Sequence, residues 1–326
     1  MVSILLLRIG QSAISLLGIS FVVFASVFLI GEPASLYDPL VREDPARLAA
    51  LRSELGLDQP LYIQYINFLR DVMTGKFGTS WVYQEPAMQV ILERLPATLE
   101  LVALAIAIAF CIGYPLGLLS GWKKPSALSA SIERISVLGY SAPTFWVGLV
   151  LIYIFAVGAN ALPSIGRGGT AQVFGIQLSL FTADGISHLI LPALTLSLYE
   201  IGYFTRMIST MTEETKHKTF ISFAHAKGLP VSRVISNHLL KAISAPLVTI
   251  VAIETGALIA GSVITETVFA WPGVGKLLVD SVAALDRPVI VAFVLLTAIA
   301  FLVLNLVADL VQMLMDPTLR PKGVPA

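Results

Sequence analysis

Six stretches of roughly 20 or more mostly apolar residues recur along this chain, at about 9–30, 97–121, 135–158, 188–211, 246–269 and 288–315. As helix, each is long enough to cross a hydrocarbon core of roughly 30 Å. A single water-soluble core cannot hide so many runs, because polar residues would still have to cover its surface. Here only 13% of the residues are charged, and the mean hydropathy is +0.84. Water is therefore not the solvent of this chain. In lipid the backbone groups of a single segment satisfy one another only as helix. The expected fold is an all-α integral membrane protein with six transmembrane helices and both termini cytoplasmic, carrying a small helical external segment between the first two spans. A formal net charge of zero gives no general attraction to nucleic acid, so nucleic-acid partners are excluded and membrane lipid is the expected surroundings.

The spans divide the chain into a first helix (1–30), an external segment (31–96) and a five-helix core (97–326) with an inner loop at about 212–245. Arg8 before an apolar stretch resembles the start of a cleaved signal, but the stretch outruns the usual h-region of about 7–15 residues, so it reads as a retained anchor. Orientation follows from basic residues in short loops. With the N-terminus inside, Lys123, Lys124, Lys216, Lys218, Lys227 and Lys241 fall on the inner side, against Arg167, Lys276 and Arg287 in the short outer loops. In the external segment, Ala46–Leu55 has apolar residues at helical spacing, a second run starts at Pro60 and continues to Met73, and Gly75 and Gly78 mark a turn before Trp81. The inner loop is polar, basic and interrupted by Gly228-Leu229-Pro230, which ends one helix and frees the next to start at a new angle.

No G-x-x-x-x-G-K-[ST] phosphate loop is present: Gly75-Lys76 is followed by Phe77, and Gly273-Val274-Gly275 lies between spans with no βαβ unit around it. H-E-x-x-H, C-x-x-C and G-x-S-x-G are absent too, so nothing marks an enzyme and no cofactor is expected on this chain. If the chain pumps, a partner supplies the ATP.

Phe220-Ile221-Ser222-Phe223-Ala224-His225-Ala226-Lys227-Gly228-Leu229, followed by His238-Leu239-Leu240-Lys241 and Pro246, resembles the EAA loop of ABC-importer permeases, in the dipeptide, oligopeptide and nickel branch. Further motifs agree in order. They are Leu95-Pro96-Ala97-Thr98-Leu99-Glu100, Ser141-Ala142-Pro143-Thr144-Phe145-Trp146, His188-Leu189-Ile190-Leu191-Pro192-Ala193 and Glu266-Thr267-Val268-Phe269-Ala270-Trp271-Pro272-Gly273-Val274-Gly275, with Asn305 and Asp309 in the last span. The resemblance covers nearly the whole chain. It implies a multi-pass subunit of a bacterial inner membrane, with a periplasmic outer segment, forming half of a translocation pore that works by alternating access. It also implies a second homologous permease chain, two cytosolic ATP-binding subunits that hold ATP and Mg2+, an external solute-binding protein, and short peptides as cargo. Ala224, His225, Ala226, Lys227, Gly228 and Leu229 would form the ATPase-coupling loop. Glu266, Trp271, Pro272 and Gly273 would help form the outer gate or receptor-docking surface, with the Trp271 ring at headgroup level. The chain departs from the family pattern at His225, where arginine is common, and at Lys241-Ala242, where Arg-Asn is usual.

Glu200, Glu254 and Asp309 fall inside expected spans, where a charge costs about 2.5–3.5 kcal/mol on insertion scales. The resemblance implies uncharged residues at Glu200 and Glu254. Two readings stay open for them: acids lining a translocation path that draw an ammonium or guanidinium, or protonated or interhelically bonded acids used for packing. Asp309, one turn beyond Asn305, reads as a structural contact. His217, His225 and His238 lack the spacing of a metal-ligand pair, and Cys111, inside an apolar run, reads as a small buried hydrophobe. A proton-coupled secondary transporter using Glu200 and Glu254 is the competing class; it calls for inverted repeats, and none stands out.

Overall fold

The computed structural model describes residues 2–29, 53 and 58–315, so the expected helix over 46–55 falls almost wholly outside the described residues. The elements are α1 (Val2–Leu29), α2 (Leu61–Met73), α3 (Ala87–Trp122), α4 (Ala127–Ser141), α5 (Thr144–Leu151), β1 (Ala171–Val173), β2 (Ile176–Leu178), α6 (Ala183–Lys216), α7 (Thr219–Ala226), α8 (Val231–Val234), α9 (Leu240–Val268), α10 (Val274–Ala283) and α11 (Arg287–Met315). A π-helical turn, Ile152–Gly158, extends α5, and another, Ile235–Leu239, joins α8 to α9.

Among the described residues, four helical segments are long and apolar enough to cross a membrane: Ala87–Trp122, Ala183–Lys216, Val231–Val268 and Arg287–Gln312. In α1 the apolar stretch is shorter, Gly10–Ser26. The expected third span is not one helix. α4 and the segment Thr144–Gly158 pass the same test together but bend by 96°. Ala142 is extended (φ −75°, ψ 130°), because the Pro143 ring crowds the residue before it. Pro96, Pro115, Pro192 and Pro246, by contrast, lie inside unbroken helices, a placement that transmembrane segments tolerate. A small hairpin interrupts the otherwise helical fold. β1 and β2 pair antiparallel, with Ala171 opposite Leu178 and Val173 opposite Ile176, around a Phe174-Gly175 turn. Both turn residues have positive φ (50° and 82°), as a two-residue hairpin with strand-matching twist requires.

The described residues form two compact units, one containing Leu95–Lys276 and the residues from Val303 onward, the other Val2–Arg94 and Leu277–Leu302. In the first, α3 packs against α6 through Gly113, Gly117 and Gly121, spaced four apart on one helix face. A Cβ on Gly117 would lie 2.7 Å from the Thr205 carbonyl oxygen and from Ile208 Cβ; one on Gly121 would overlap the Ser209 carbonyl oxygen. Small residues at this spacing let two helix backbones approach closely. Cys111, on the same helix, is exposed rather than buried. An apolar run built for lipid carries apolar side chains on its outward face as well, so apolar surroundings in sequence do not imply a core position. Below the glycines, Lys124 bridges Glu133 (2.5 Å) and Glu213 (3.0 Å), and Lys216 Nζ donates to the carbonyls of Gly121 and Lys124, each at 2.9 Å. The hydrogen bond that Lys124 donates to Glu133 holds its ammonium above the usual pKa.

In the second unit, α2 starts after Pro60, as expected, and lies along α1. Tyr65 and Ser20 hydroxyls meet at 2.9 Å, and the Tyr65 ring packs against Phe21 and Phe24. Gly75 and Gly78, with φ of 74° and 86°, form the expected turn. The loop beyond it is fastened to buried Asp286, which accepts from Ser80 Oγ and from the backbone N–H groups of Trp81 (3.2 Å) and Val82 (3.3 Å). α3 begins ten residues before the apolar run does, since Ala87, Val90 and Ile91 are already buried.

Candidate functional site

Three features bear on function, all within the unit containing Leu95–Lys276. The first is the 212–245 loop. α7 stops at Ala226 with Lys227 as its cap, and Gly228 follows at φ +75°. Gly228 N donates to His225 O (2.8 Å) and Leu229 N to Ala224 O (3.3 Å), the paired bonds of a Schellman stop. Nothing lies within 4 Å of a Cβ placed on Gly228, so its backbone angle, not crowding, calls for glycine. Pro230 then opens α8, where its missing N–H is no loss.

The helix so bounded has two unlike faces. Ile221 and Ala224 turn inward and join Val234, Leu239 and Ile243 in a buried cluster with Phe204 and Ile208 of α6. His225, Ala226, Lys227 and Gly228 are exposed, and Leu229 is half-buried. Phe220, Phe223 and Val231 are exposed as well, Phe223 at 60%, with Lys227 Nζ 4.7 Å from the centre of its ring. His225 packs against Trp122. The loop therefore carries a short helix anchored on one side, with Phe220 and Phe223 exposed beside His225 and Lys227 on the other. Phe220 and Phe223, three residues apart, are the signal in the sequence for that outer face.

The second feature is the turn after α9. Glu266 is fully buried and takes three donors: Thr98 Oγ1 (2.6 Å) and Ser262 Oγ (3.1 Å) on one oxygen, Lys276 N (2.9 Å) on the other. Thr98 Oγ1 in turn accepts from Val274 N at 2.9 Å. A Cβ at Gly273 would overlap the Glu266 carboxylate, so glycine there keeps the acid's place. Trp271 is wholly buried, and its Nε1 donates to the Ala97 carbonyl at 2.8 Å. The headgroup-level position expected for Trp271 is therefore corrected: the indole has a protein acceptor and sits among Leu101, Leu189 and Leu196. Glu266 and Trp271 point inward and hold the turn, so neither side chain presents a surface to another protein.

The same knot reaches the hairpin loop. Glu100, also buried, accepts from Arg167 Nε (2.8 Å) and Ser179 N (2.7 Å), and Gly166 N donates to Phe269 O (2.8 Å). The two motifs Leu95–Glu100 and Glu266–Gly275 thus meet in space. The Arg167–Glu100 pair, 85% and 99% buried, gave no sign in sequence beyond a lone basic residue in an otherwise neutral loop. Phe174, at the hairpin tip, is fully exposed.

The third feature is the mid-helix acids. Glu200, at the middle of α6, is 2% exposed, and its Oε2 has no hydrogen-bond partner. Glu254, at the middle of α9, is half-buried, and α9 packs directly against α6. Beside them Tyr140, Tyr199 and Tyr203 form a ring stack, with centroid separations of 4.6 Å and 6.4 Å. Among the described residues neither acid has an ion-pair partner. Asp309 is half-buried on α11, four residues from Asn305.

Residues 113–321 match the family of binding-protein-dependent transport system inner membrane components, and residues 1–102 match the N-terminal region of such components. The dipeptide transport system permease protein DppB of Escherichia coli (strain K12) is 33% identical over 338 residues, 99% of this chain and 100% of the relative. The di/tripeptide transport system permease protein DppB of Pseudomonas aeruginosa (strain UCBPP-PA14) is 32% identical over 98% of this chain and 99% of its own length. The oligopeptide transport system permease protein AppB of Bacillus subtilis (strain 168) is 34% identical over 94% of this chain and 95% of its own. Among solved structures, a chain of the inward-facing MetNI methionine ABC transporter shares the fold, with a TM-score of 0.56 at 18% identity, covering 70% of this chain and 97% of that one.

Proposed function

This chain belongs to the inner membrane components of binding-protein-dependent transport systems, and from that premise we propose that it forms half of the pore of a short-peptide importer driven by separate ATPase subunits. Peptide cargo is supported by the relatives, whose names specify dipeptides, di/tripeptides and oligopeptides. The chain itself makes and breaks no covalent bond. On this reading it spans a bacterial inner membrane six times, α4 and α5 together making the third crossing, with both termini cytoplasmic and the 31–96 segment periplasmic. A second permease chain completes the pore, two ATP-binding subunits carry ATP and Mg2+, and a solute-binding protein delivers cargo from outside.

The observation that carries the proposal is the two-faced helix α7. Anchored by Ile221 and Ala224 and stopped by Gly228, it offers Phe220, Phe223 and its capping residue Lys227 to a partner, with Val231 exposed at the start of α8. An ATPase that grips this face moves α6 and α9 with it, since packed elements transmit displacement as rigid bodies. The receptor side is the hairpin with Phe174 at its tip, braced by the knot of Glu266, Trp271, Pro272 and Gly273. Those four act from behind the surface. The experiment is uptake by the assembled complex in proteoliposomes carrying Phe220→Ser and Phe223→Ser. Loss of peptide uptake and of peptide-stimulated ATP hydrolysis, with an unchanged Tm of the isolated chain, is the expected result; full uptake with the double substitution would overturn the coupling role.

A further inference from the structure

An ionisable side chain at the middle of a membrane helix usually faces the bundle interior or a water-filled path, because its charged form costs about 2.5–3.5 kcal/mol in lipid. Glu200 and Glu254 sit at the middle of α6 and α9, and no lysine or arginine among the described residues neutralises them. Packing alone does not account for the arrangement, because the more deeply buried acid, Glu200, keeps an unpartnered oxygen. A group bonded for packing spends its acceptors.

The surroundings specify what would complete the site. Tyr199 and Tyr203 flank Glu200 on the same helix, and Tyr140 stacks on Tyr199 from α4, next to the Pro143 break. Tyr140 and Tyr199 remain 40% and 37% exposed and Glu254 half-buried, so the cluster has an open side. Aromatic faces attract organic cations. A hard metal ion instead wants roughly 6–8 oxygen ligands, more than two carboxyls and three hydroxyls on one side supply. We propose that Glu200 and Glu254, with Tyr140, Tyr199 and Tyr203, form a subsite for the ammonium or guanidinium group of the cargo, midway along the translocation path. The inference rests on the importer reading. It adds that this permease, and not only its receptor, selects by charge.

The test is ATP-driven uptake into proteoliposomes of the full complex, with alanyl-lysine, dialanine and alanyl-glutamate as probes. The wild type is compared with Glu254→Gln, Glu200→Gln, Glu254→Asp and Tyr199→Leu. Expected is a fall in alanyl-lysine uptake with Glu254→Gln, relative to dialanine, of about tenfold, equal to 1.4 kcal/mol. Alanyl-glutamate uptake should rise relative to dialanine, and Glu254→Asp should restore most of the preference. An equal loss for all three probes, or an unchanged profile in every variant, would overturn the subsite while leaving the importer intact. So would uptake that collapses when a proton gradient is dissipated with ATP present, which would make the acids proton carriers. Wild-type complex that takes up no dipeptide with ATP would instead overturn the reading on which the subsite rests.

Discussion

Replacing Glu266 should destabilise the chain in a graded way that the hydrogen-bond geometry fixes. The carboxylate accepts from Thr98, Ser262 and the Lys276 backbone, and no acceptor faces it. In Glu266→Gln the amide oxygen must stay on Lys276 N, because a backbone donor cannot turn away. The amide nitrogen then faces two hydroxyls. Ser262 tolerates this, since it also donates to Ile259 O at 3.0 Å and can accept from the amide. Thr98 cannot adapt as fully: it already accepts from Val274 N, and its own O–H is left without an acceptor. One charge-assisted bond is therefore lost, at about 1.5–3 kcal/mol. Glu266→Ala leaves all three donors without their acceptor and opens a cavity beside Gly273, costing about 3–5 kcal/mol, whereas Ser262→Ala costs about 0.5–1.5 kcal/mol. At about 2–4 °C per kcal/mol the Gln variant should melt about 3–12 °C below wild type in detergent, with Ala lower still and Ser262→Ala nearest to wild type. A Gln variant as unstable as the Ala variant, or an Ala variant within about 1 °C of wild type, would refute this account of the turn.

Other substitutions follow from the same packing. Gly117→Leu places a side chain where the Thr205 carbonyl and Ile208 stand, and should cost at least about 1–3 kcal/mol, seen as a lower Tm and faster proteolysis of the α3–α6 pair, whereas Gly10→Leu, with nothing within 4 Å, should be neutral. Arg167→Met strips buried Glu100 of its guanidinium partner, leaving the Ser179 N–H on its other oxygen, and should cost about 3–5 kcal/mol; the Arg167→Met, Glu100→Met double variant should recover much of that loss, read as a Tm above that of the single variant.

Much of the architecture could be read from residue patterns, because length and hydropathy alone decide whether a helix can span a bilayer. Pro60 and the paired glycines at 75 and 78 were equally plain. The break at Ala142-Pro143 was not, since four other prolines sit within continuous helices, and whether a freed carbonyl is re-satisfied depends on neighbours in space. The hairpin was within reach: Ala-Gln-Val and Ile-Gln-Leu flank Phe174-Gly175, but three-residue strands are too short for periodicity to register. Trp271 misled because a membrane-edge tryptophan and a buried one with a carbonyl acceptor look alike until Ala97 is placed beside it. At the inner loop, Gly228 and Pro230 gave the helix boundary, while the outward Phe220 and Phe223 needed the inward Ile221 and Ala224 to be located first. Glu200 and Glu254 stood out as rare charges; the tyrosines beside them did not, since aromatics are ordinary in a membrane helix.

The central claim, that this chain is a pore subunit moved by separate ATPases through the loop at Gly228, is tested most directly by what the chain holds on to. Tagged wild-type chain and a variant with Ala226→Asp and Gly228→Val are purified from native membrane in mild detergent, and the retained proteins are identified by mass spectrometry. Wild type should retain a second permease and a subunit carrying a phosphate-binding loop, and the variant should lose only the latter. A wild-type chain recovered alone or as a self-dimer, under conditions that keep other importers whole, would contradict the claim.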